Sequence, residues 1–484
     1  MRGNDMGDNP ARSTRRGAGV RISRVMLATA VAATAAVVGL PGAASAGGPA
    51  PIDPARLPAD GNPAPPDKTE AANACTIAVS TTSPAIPPAQ AYLNLPAAWQ
   101  FSRGEGQTVA VIDTGVSRHP RLPDLIAGGD YVATSDGTDD CDVHGTAVAG
   151  LIAAHPSASD GFSGIAPAAR IIAIRQTSAN WRKQGATDQD PNNPKNSAGY
   201  GTVTTLASAV RHAADMGATV INISETACGP AGSVNDGSLG AAVQYAALVK
   251  DVVVVAAAGN NDSENCKAGN PGVDPIHPNA DLWSTVTTAV TPAWYDRYVL
   301  AVGSIDLDGA PSKFTVPGPW VGVAAPGEQI ISLDPHSGGL ASGKVVSQGQ
   351  GSFAGTSFAS PYVAGLAALV RARFPQLSAA EVIQRIKATA HTPAEGWNPW
   401  IGHGSIDPIA ALTHEVATDT VVENKPLPTD GHVQLPVPVP PPPPDNSART
   451  VALVGSGIVG VLLILGFAAS FPLTRLMRDR ADDI

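Results

Sequence analysis

The chain has 484 residues, a formal net charge of −10, 15% charged and 5% aromatic residues, 50 glycines and 44 prolines. Such a length holds one large or two medium domains, and the composition suits a loop-rich globular part with long extended tails. No basic stripe is present to neutralise phosphates, which argues against a nucleic-acid partner; the acidity otherwise signifies ordinary solubility.

Residues 1–46 read as a secretory signal peptide. Arg12, Arg15, Arg16, Arg21 and Arg24 precede the apolar run VMLATAVAATAAVVGL (25–40), and Ala44-Ser45-Ala46 offers a small-residue cleavage site. The apolar core is short for an uncleaved anchor. Residues 47–90 are rich in proline and alanine, with little periodicity, and are expected to be extended.

Residues 91–415 are the expected globular domain. From about Gly106 to Pro408, apolar strands alternate with helical stretches. Strands are predicted at 108–113, 169–175, 219–224, 252–259, 298–305 and 320–327, and helices at 144–154, 202–216, 237–249, 356–371 and 378–390. Ser378 with Glu381 makes a capping-box start for the last helix. The strand segments are continuous apolar runs rather than strict alternations, so both faces are covered. Interposed helices then imply a parallel, three-layer α/β sheet. Two polar stretches, 176–201 and 262–297, read as surface insertions.

Residues 416–449 form a proline-rich stalk that includes KPLPTDGHVQLPVPVPPPPPDN (425–446). Residues 450–474 carry no charge and suffice to cross a hydrocarbon core about 30 Å thick as one transmembrane helix. Arg475, Arg478 and Arg480 follow in the tail, 475–484, against Arg449 alone on the other side. That excess places the tail in the cytoplasm and the globular domain outside, as the signal peptide also requires.

Three motifs carry chemistry. Asp113 ends the strand TVAVID, His144 opens HGTAVAGLIAA (144–154), and Ser357 lies in GTSFASPYVAGLAALV (355–370). A serine hydroxyl is a poor nucleophile at neutral pH and needs a base, here His144, whose tautomer a buried carboxylate, here Asp113, can fix. Ser357 at a helix N-terminus has exposed backbone N–H groups that favour a developing oxyanion. AAAGN (256–260) ends a buried strand with Asn260, whose side-chain amide is the expected second donor. Gly145, Thr146 and Ala147 let the His144 helix start close to the sheet, while Gly355, Ala359 and Ser360 leave room for a substrate chain. Pro361 is expected in the first turn of its helix.

DTG, HGTAVAG and GTSFASPYVAG, in the order Asp, His, Ser, resemble the subtilisin family of serine endopeptidases over roughly residues 106–410, and AAAGN resembles that family's oxyanion-hole motif. The resemblance implies a subtilisin-like fold with a mostly parallel seven-stranded sheet. It also implies a substrate strand lying along the segment around Ser224, with Gly259 on the substrate side. Where the family usually reads Ser-Leu-Gly, this chain reads Ser224-Glu225-Thr226. Glu225 either narrows the pocket or favours basic side chains, or is a solvated rim carboxylate. Secreted subtilisins often carry a folded inhibitory propeptide; residues 47–90 look too short and proline-rich for one, and are expected to wrap the domain.

The order of signal peptide, proline-rich extension, protease-like domain, stalk and single C-terminal span resembles the mycosins, membrane-anchored proteases of actinobacterial type VII secretion systems. That resemblance implies protein substrates exported by such a system and association with other subunits of its membrane complex. It also implies a role in assembly separable from proteolysis, so a structural subunit is the alternative to an enzyme.

Cys75, Cys141, Cys228 and Cys266 allow three pairings in an exported chain. The strands 219–224 and 252–259 should be parallel neighbours, so Cys228 and Cys266 emerge at one sheet edge within bridging distance. Cys75–Cys141 then staples the extension to the loop before His144, and the mycosin resemblance points the same way. The cysteines lack zinc-type spacing, and Asp136, Asp139, Asp140 and Asp142 fit no calcium loop. Those carboxylates read as a polar loop, or one of them stabilises protonated His144. His119, His155, His212 and His403 have no evident partner. No cofactor or metal is called for.

Overall fold

A computed structural model describes residues 47–186, 199–416 and 447–479, apart from 263, 268, 275, 278, 279 and 348. The expected signal peptide and most of the stalk lie outside the described residues.

Seven parallel strands form the central sheet: β1 (Thr108–Asp113), β2 (Ile126–Asp130), β3 (Arg170–Arg175), β4 (Val220–Ile223), β5 (Val253–Ala257), β6 (Val299–Ile305) and β7 (Val321–Pro326), in the order β7-β6-β5-β4-β1-β3-β2. The continuous apolar runs have a two-sided explanation. Val109 and Val111 face one core, with Val253, Val255 and Leu300, whereas Ala110 and Ile112 face the other, with Ile221, Ile223 and Val254. Successive side chains point to opposite faces, so a strand covered twice must be apolar at every position.

Helices α1 (His144–Ala153), α4 (Thr356–Arg373) and α5 (Ala379–Ala388) close the first core; α2 (Val203–Asp215) and α3 (Gly237–Leu248) close the second. Ser378 and Glu381 form the expected capping box. The chain passes from β3 across β1 to β4, so strand order reverses beside β1. Crevices that receive ligands open at such a reversal, beyond the carboxyl ends of the strands.

The extension lies against the domain as separate pieces rather than as a folded unit. Thr69–Ala71 pairs antiparallel with Trp181–Lys183, and Ala78–Thr81 pairs antiparallel with Leu340–Val346. Between them Cys75 is bonded to Cys141 with Cα atoms 4.6 Å apart, and Thr76 N–H donates to the Cys141 carbonyl at 2.8 Å. The second bridge is Cys228–Cys266, with Cα atoms 5.2 Å apart.

The polar insertions need correction. Thr288–Thr291 is a buried strand paired antiparallel with Ala227–Pro230, and Ala293, Trp294 and Tyr295 beyond it are also core. A short apolar run inside a polar stretch was hidden because its partner strand lies 60 residues upstream. In 176–201, Ser178 and Asn180 are buried at the site described below. Arg175 is fully buried too, 3.6 Å from Asp130, 3.5 Å from Asp139 and beneath the Trp181 ring.

Near the C-terminus, Ser447–Asp479 is one helix, and Ala448–Ala469 is long and apolar enough to cross a membrane, with mean hydropathy 2.5. The helix continues past Thr474, where the tail was expected to begin.

Candidate active site

Asp113 is the last residue of β1 and is wholly buried. Its Oδ1 accepts the Thr114 N–H at 2.8 Å and lies 2.7 Å from His144 Nδ1. An ionised carboxylate only accepts, so Nδ1 carries the proton and Nε2 presents a lone pair. Nε2 is 2.9 Å from Ser357 Oγ. The structure thus joins the three predicted residues into one hydrogen-bonded chain, from the end of a strand and the first turns of two helices.

A network around Asp140, one of the four aspartates read as a polar loop or as a partner of His144, sets the His144 helix against β1. The Asp140 carboxylate accepts from Thr114 Oγ1 at 2.9 Å and from both the N–H and Oγ1 of Thr146, at 2.8 and 2.7 Å. Thr114 Oγ1 in turn accepts the Gly145 N–H at 2.9 Å. Burial pushes the Asp140 carboxyl up to about 6, against the pull of these bonds. Gly145 allows the approach: a Cβ there would stand 2.0 Å from the Gly115 carbonyl oxygen. Gly145→Ala must therefore push α1 outward. We expect kcat/KM to fall by about 100-fold, because a displacement near 1 Å at reacting groups has that cost. Overpacking should also cost about 1–3 kcal/mol. Peptide-hydrolysis kinetics and a thermal melt check both.

Ser357 is the second residue of α4, with Gly355 as N-cap at φ 149°. Its N–H falls among the first-turn donors that have no intrahelical acceptor. Asn260 Oδ1 accepts from Thr356 N–H and Thr356 Oγ1, both at 3.0 Å, which turns Nδ2 toward Ser357. A Cβ on Gly355 would sit 3.1 Å from Ser357 Oγ and 3.2 Å from Asn260 Nδ2. The missing side chain therefore leaves a space bounded by the hydroxyl and the amide, sized for a carbonyl oxygen. The Phe358 ring packs 5.0 Å from the His144 ring and 5.1 Å from Phe353, covering the imidazole on one side.

Several expected roles differ in detail. Ser224 is buried, and its hydroxyl donates to the Ser357 carbonyl at 2.9 Å, so only its backbone is available to a substrate. Pro361 explains the contact. It lies in the second turn of α4, not the first, and has no N–H for the Ser357 carbonyl four residues back; the Ser224 hydroxyl supplies that donor. Ser360 is 3.1 Å from the same hydroxyl, and it and Ala359 are fully buried, so neither makes room for a substrate. Gly259 has φ 94° and gives its carbonyl to Val316 N–H at 3.0 Å, which serves the turn that presents Asn260. His119 Nδ1 accepts the Arg121 N–H at 3.1 Å, and His212 lies 3.5 Å from Asp60.

The four neighbouring carboxylates diverge. Asp136 bonds Thr138, Asp139 faces Arg175, and Asp142 accepts from Ala179 N–H at 2.8 Å and Asn180 Nδ2 at 3.1 Å. Asn180 Nδ2 also reaches Thr76 Oγ1, so Asn180 links the extension to Asp142 in the loop that leads into His144. Glu225 is turned toward His144, with Oε1 3.9 Å from Nδ1. Among the described residues, Asp113, His144 and Glu225 are the one His/Cys/Asp/Glu group close enough for a shared metal ion, with ligand atoms within 4.8 Å. Two of its atoms already form the Asp113–His144 contact. The arrangement as a whole can activate a hydroxyl and stabilise the oxyanion formed on attack at a carbonyl.

The subtilase family profile matches residues 104–418. The chain is 46% identical over 457 residues to Mycosin-4 of Mycobacterium tuberculosis, covering 93% of this chain and 96% of that protein. Among solved structures, the MycP3 protease from the type VII (ESX-3) secretion system superposes with a TM-score of 0.70 at 46% identity, covering 76% of this chain and 100% of that one. A chain of the intact ESX-5 inner membrane complex superposes with a TM-score of 0.73 at 44% identity, covering 86% and 98%.

Proposed function

Because the chain belongs to the subtilase family of serine proteases, and within it to the mycosins, we propose that it is a membrane-anchored, extracytoplasmic endopeptidase working through an acyl-enzyme on proteins exported by a type VII secretion system. The observation that carries this reading is the chain of contacts Asp113–His144–Ser357, at 2.7 and 2.9 Å, ending beside the clamped amide of Asn260. Ser357 Oγ attacks the scissile carbonyl while His144 Nε2 takes its proton. The oxyanion is met by Asn260 Nδ2 and the Ser357 N–H. His144 then passes the proton to the leaving amine, and water repeats the sequence to free the acid and regenerate Ser357. Asp113 holds the tautomer and offsets the charge on the imidazolium. The apolar helix Ala448–Ala469 and the arginines beyond it support a tether with the protease outside and the tail in the cytoplasm.

A second role, as a subunit needed for assembly of the secretion complex, is favoured by the similarity to a chain of the ESX-5 inner membrane complex. Ser357→Ala separates the two. In cells, fluorophosphonate labelling and processing of exported proteins should fall to background. Secretion that survives in the same cells assigns the assembly role to the folded protein rather than to its chemistry. Intact wild-type protein that never labels would refute the endopeptidase.

A further inference from the structure

Glu225 leaves β4 two residues after its end and turns its side chain toward α1, where Oε1 stands 3.9 Å from His144 Nδ1. The same nitrogen faces Asp113 Oδ1 at 2.7 Å, so one imidazole is flanked by two carboxylates. The other charged groups bearing on the pair are Asp142, from the loop before α1, and Lys344, from the strand Leu340–Val346. Among the described residues Glu225 makes no hydrogen bond, and its side chain keeps 33% exposure, so water was within reach. A glutamate in that position gains nothing by approaching Asp113. It gains only when the ring between them is cationic.

On the protease reading above, we infer that Glu225 is a positioning residue that acts through His144: a second carboxylate that stabilises the imidazolium. The imidazolium forms in two circumstances, and Glu225 acts on both. During attack by Ser357 it is part of the transition state, so its stabilisation raises the rate. In the resting enzyme below the histidine's pKa it is the inactive form, so the same stabilisation raises the pH at which activity is lost. Electrostatics run the same way. Burial opposes the charge on His144, but the charge and hydrogen bond of Asp113, with Glu225 next, outweigh it and hold the ring above the ordinary 6.5, Lys344 pulling the other way. Burial, and then Asp113, push the Glu225 carboxyl up, and the charge of the His144 ring is the largest influence that pulls it back down.

Glu225→Gln keeps the side chain's size and removes its charge. With the full-length protein and an uncharged fluorogenic peptide, the plateau of kcat should fall several-fold. The acid limb of kcat/KM should move to lower pH by at least about half to one unit, the scale of a unit charge about 4 Å away when screened as fully as in bulk water. The variant's deficit therefore shrinks as pH falls. Glu225→Asp, which restores a carboxylate, should bring the limb back toward the wild type. Raising ionic strength should lower the wild-type midpoint, because the carboxylate is partly exposed. A loss that is the same at every pH, or an acid limb that superimposes on the wild type, overturns the inference. So does a wild-type midpoint indifferent to salt. Fluorophosphonate labelling of the wild type, run alongside, reports separately on whether the protease reading itself holds.

Discussion

An asparagine at position 113 is expected to lower kcat by about four orders of magnitude while leaving the protein folded. Asp113 Oδ1 accepts from both the Thr114 N–H and His144 Nδ1, at 2.8 and 2.7 Å. A carboxylate offers only acceptors to the ring whichever way it turns, whereas an amide has an NH2 on one side. If that NH2 faces the ring, Nδ1 must become the acceptor and the proton moves to Nε2. Ser357 Oγ, 2.9 Å away, then meets a donor where it needs a base. A loss near 10,000-fold is the established scale for such a tautomer error in a Ser-His-Asp enzyme. Active-site titration and peptide kinetics test it, with a thermal melt to show that the fold survives. A kcat within tenfold of the wild type would mean that the contact seen here does not govern the ring.

The second large effect belongs to Asn260. Replacing it with alanine should lower kcat by about 100- to 1,000-fold with little change in KM, because the lost donor meets the oxyanion rather than the ground-state carbonyl. The structure makes this more than a motif match. Thr356 holds Asn260 Oδ1 through two hydrogen bonds of 3.0 Å, which leaves Nδ2 no choice of direction. Asn260→Asp should do no better than alanine, since a carboxylate would repel the oxyanion. Thr356→Val, which removes one of the two bonds, should lose less. Steady-state kinetics of the three variants on one peptide decide it; a fall carried by KM rather than kcat would place Asn260 in substrate binding instead.

Much of the molecule was legible because the signals are local. Strands and helices follow from periodicity and capping, as at Ser378 and Glu381, and each triad candidate sits where one of those elements begins or ends. The cysteine bridge 228–266 needed only one further step, the adjacency of two parallel strands. The misreadings share a cause as well. Thr288–Thr291 looked like loop because its partner strand was not adjacent in sequence. Pro361 is a simpler case: the helix starts at Thr356 as read, but its sixth residue already falls in the second turn. Asp140 and its neighbours looked like a polar loop because aspartates close in sequence give no clue that they point to different partners.

The sequence by itself determined the family, the strand and helix order and the residues able to carry the chemistry, since those rest on short motifs and on periodicity along the chain. The tertiary structure alone decided that Glu225 turns toward His144, that Ser224 answers the hydrogen bond Pro361 cannot make, and that Asp140 ties α1 to the end of β1. Each of these depends on a distance between side chains from separate segments, and spacing along a chain does not encode that distance until the sheet has brought the segments together.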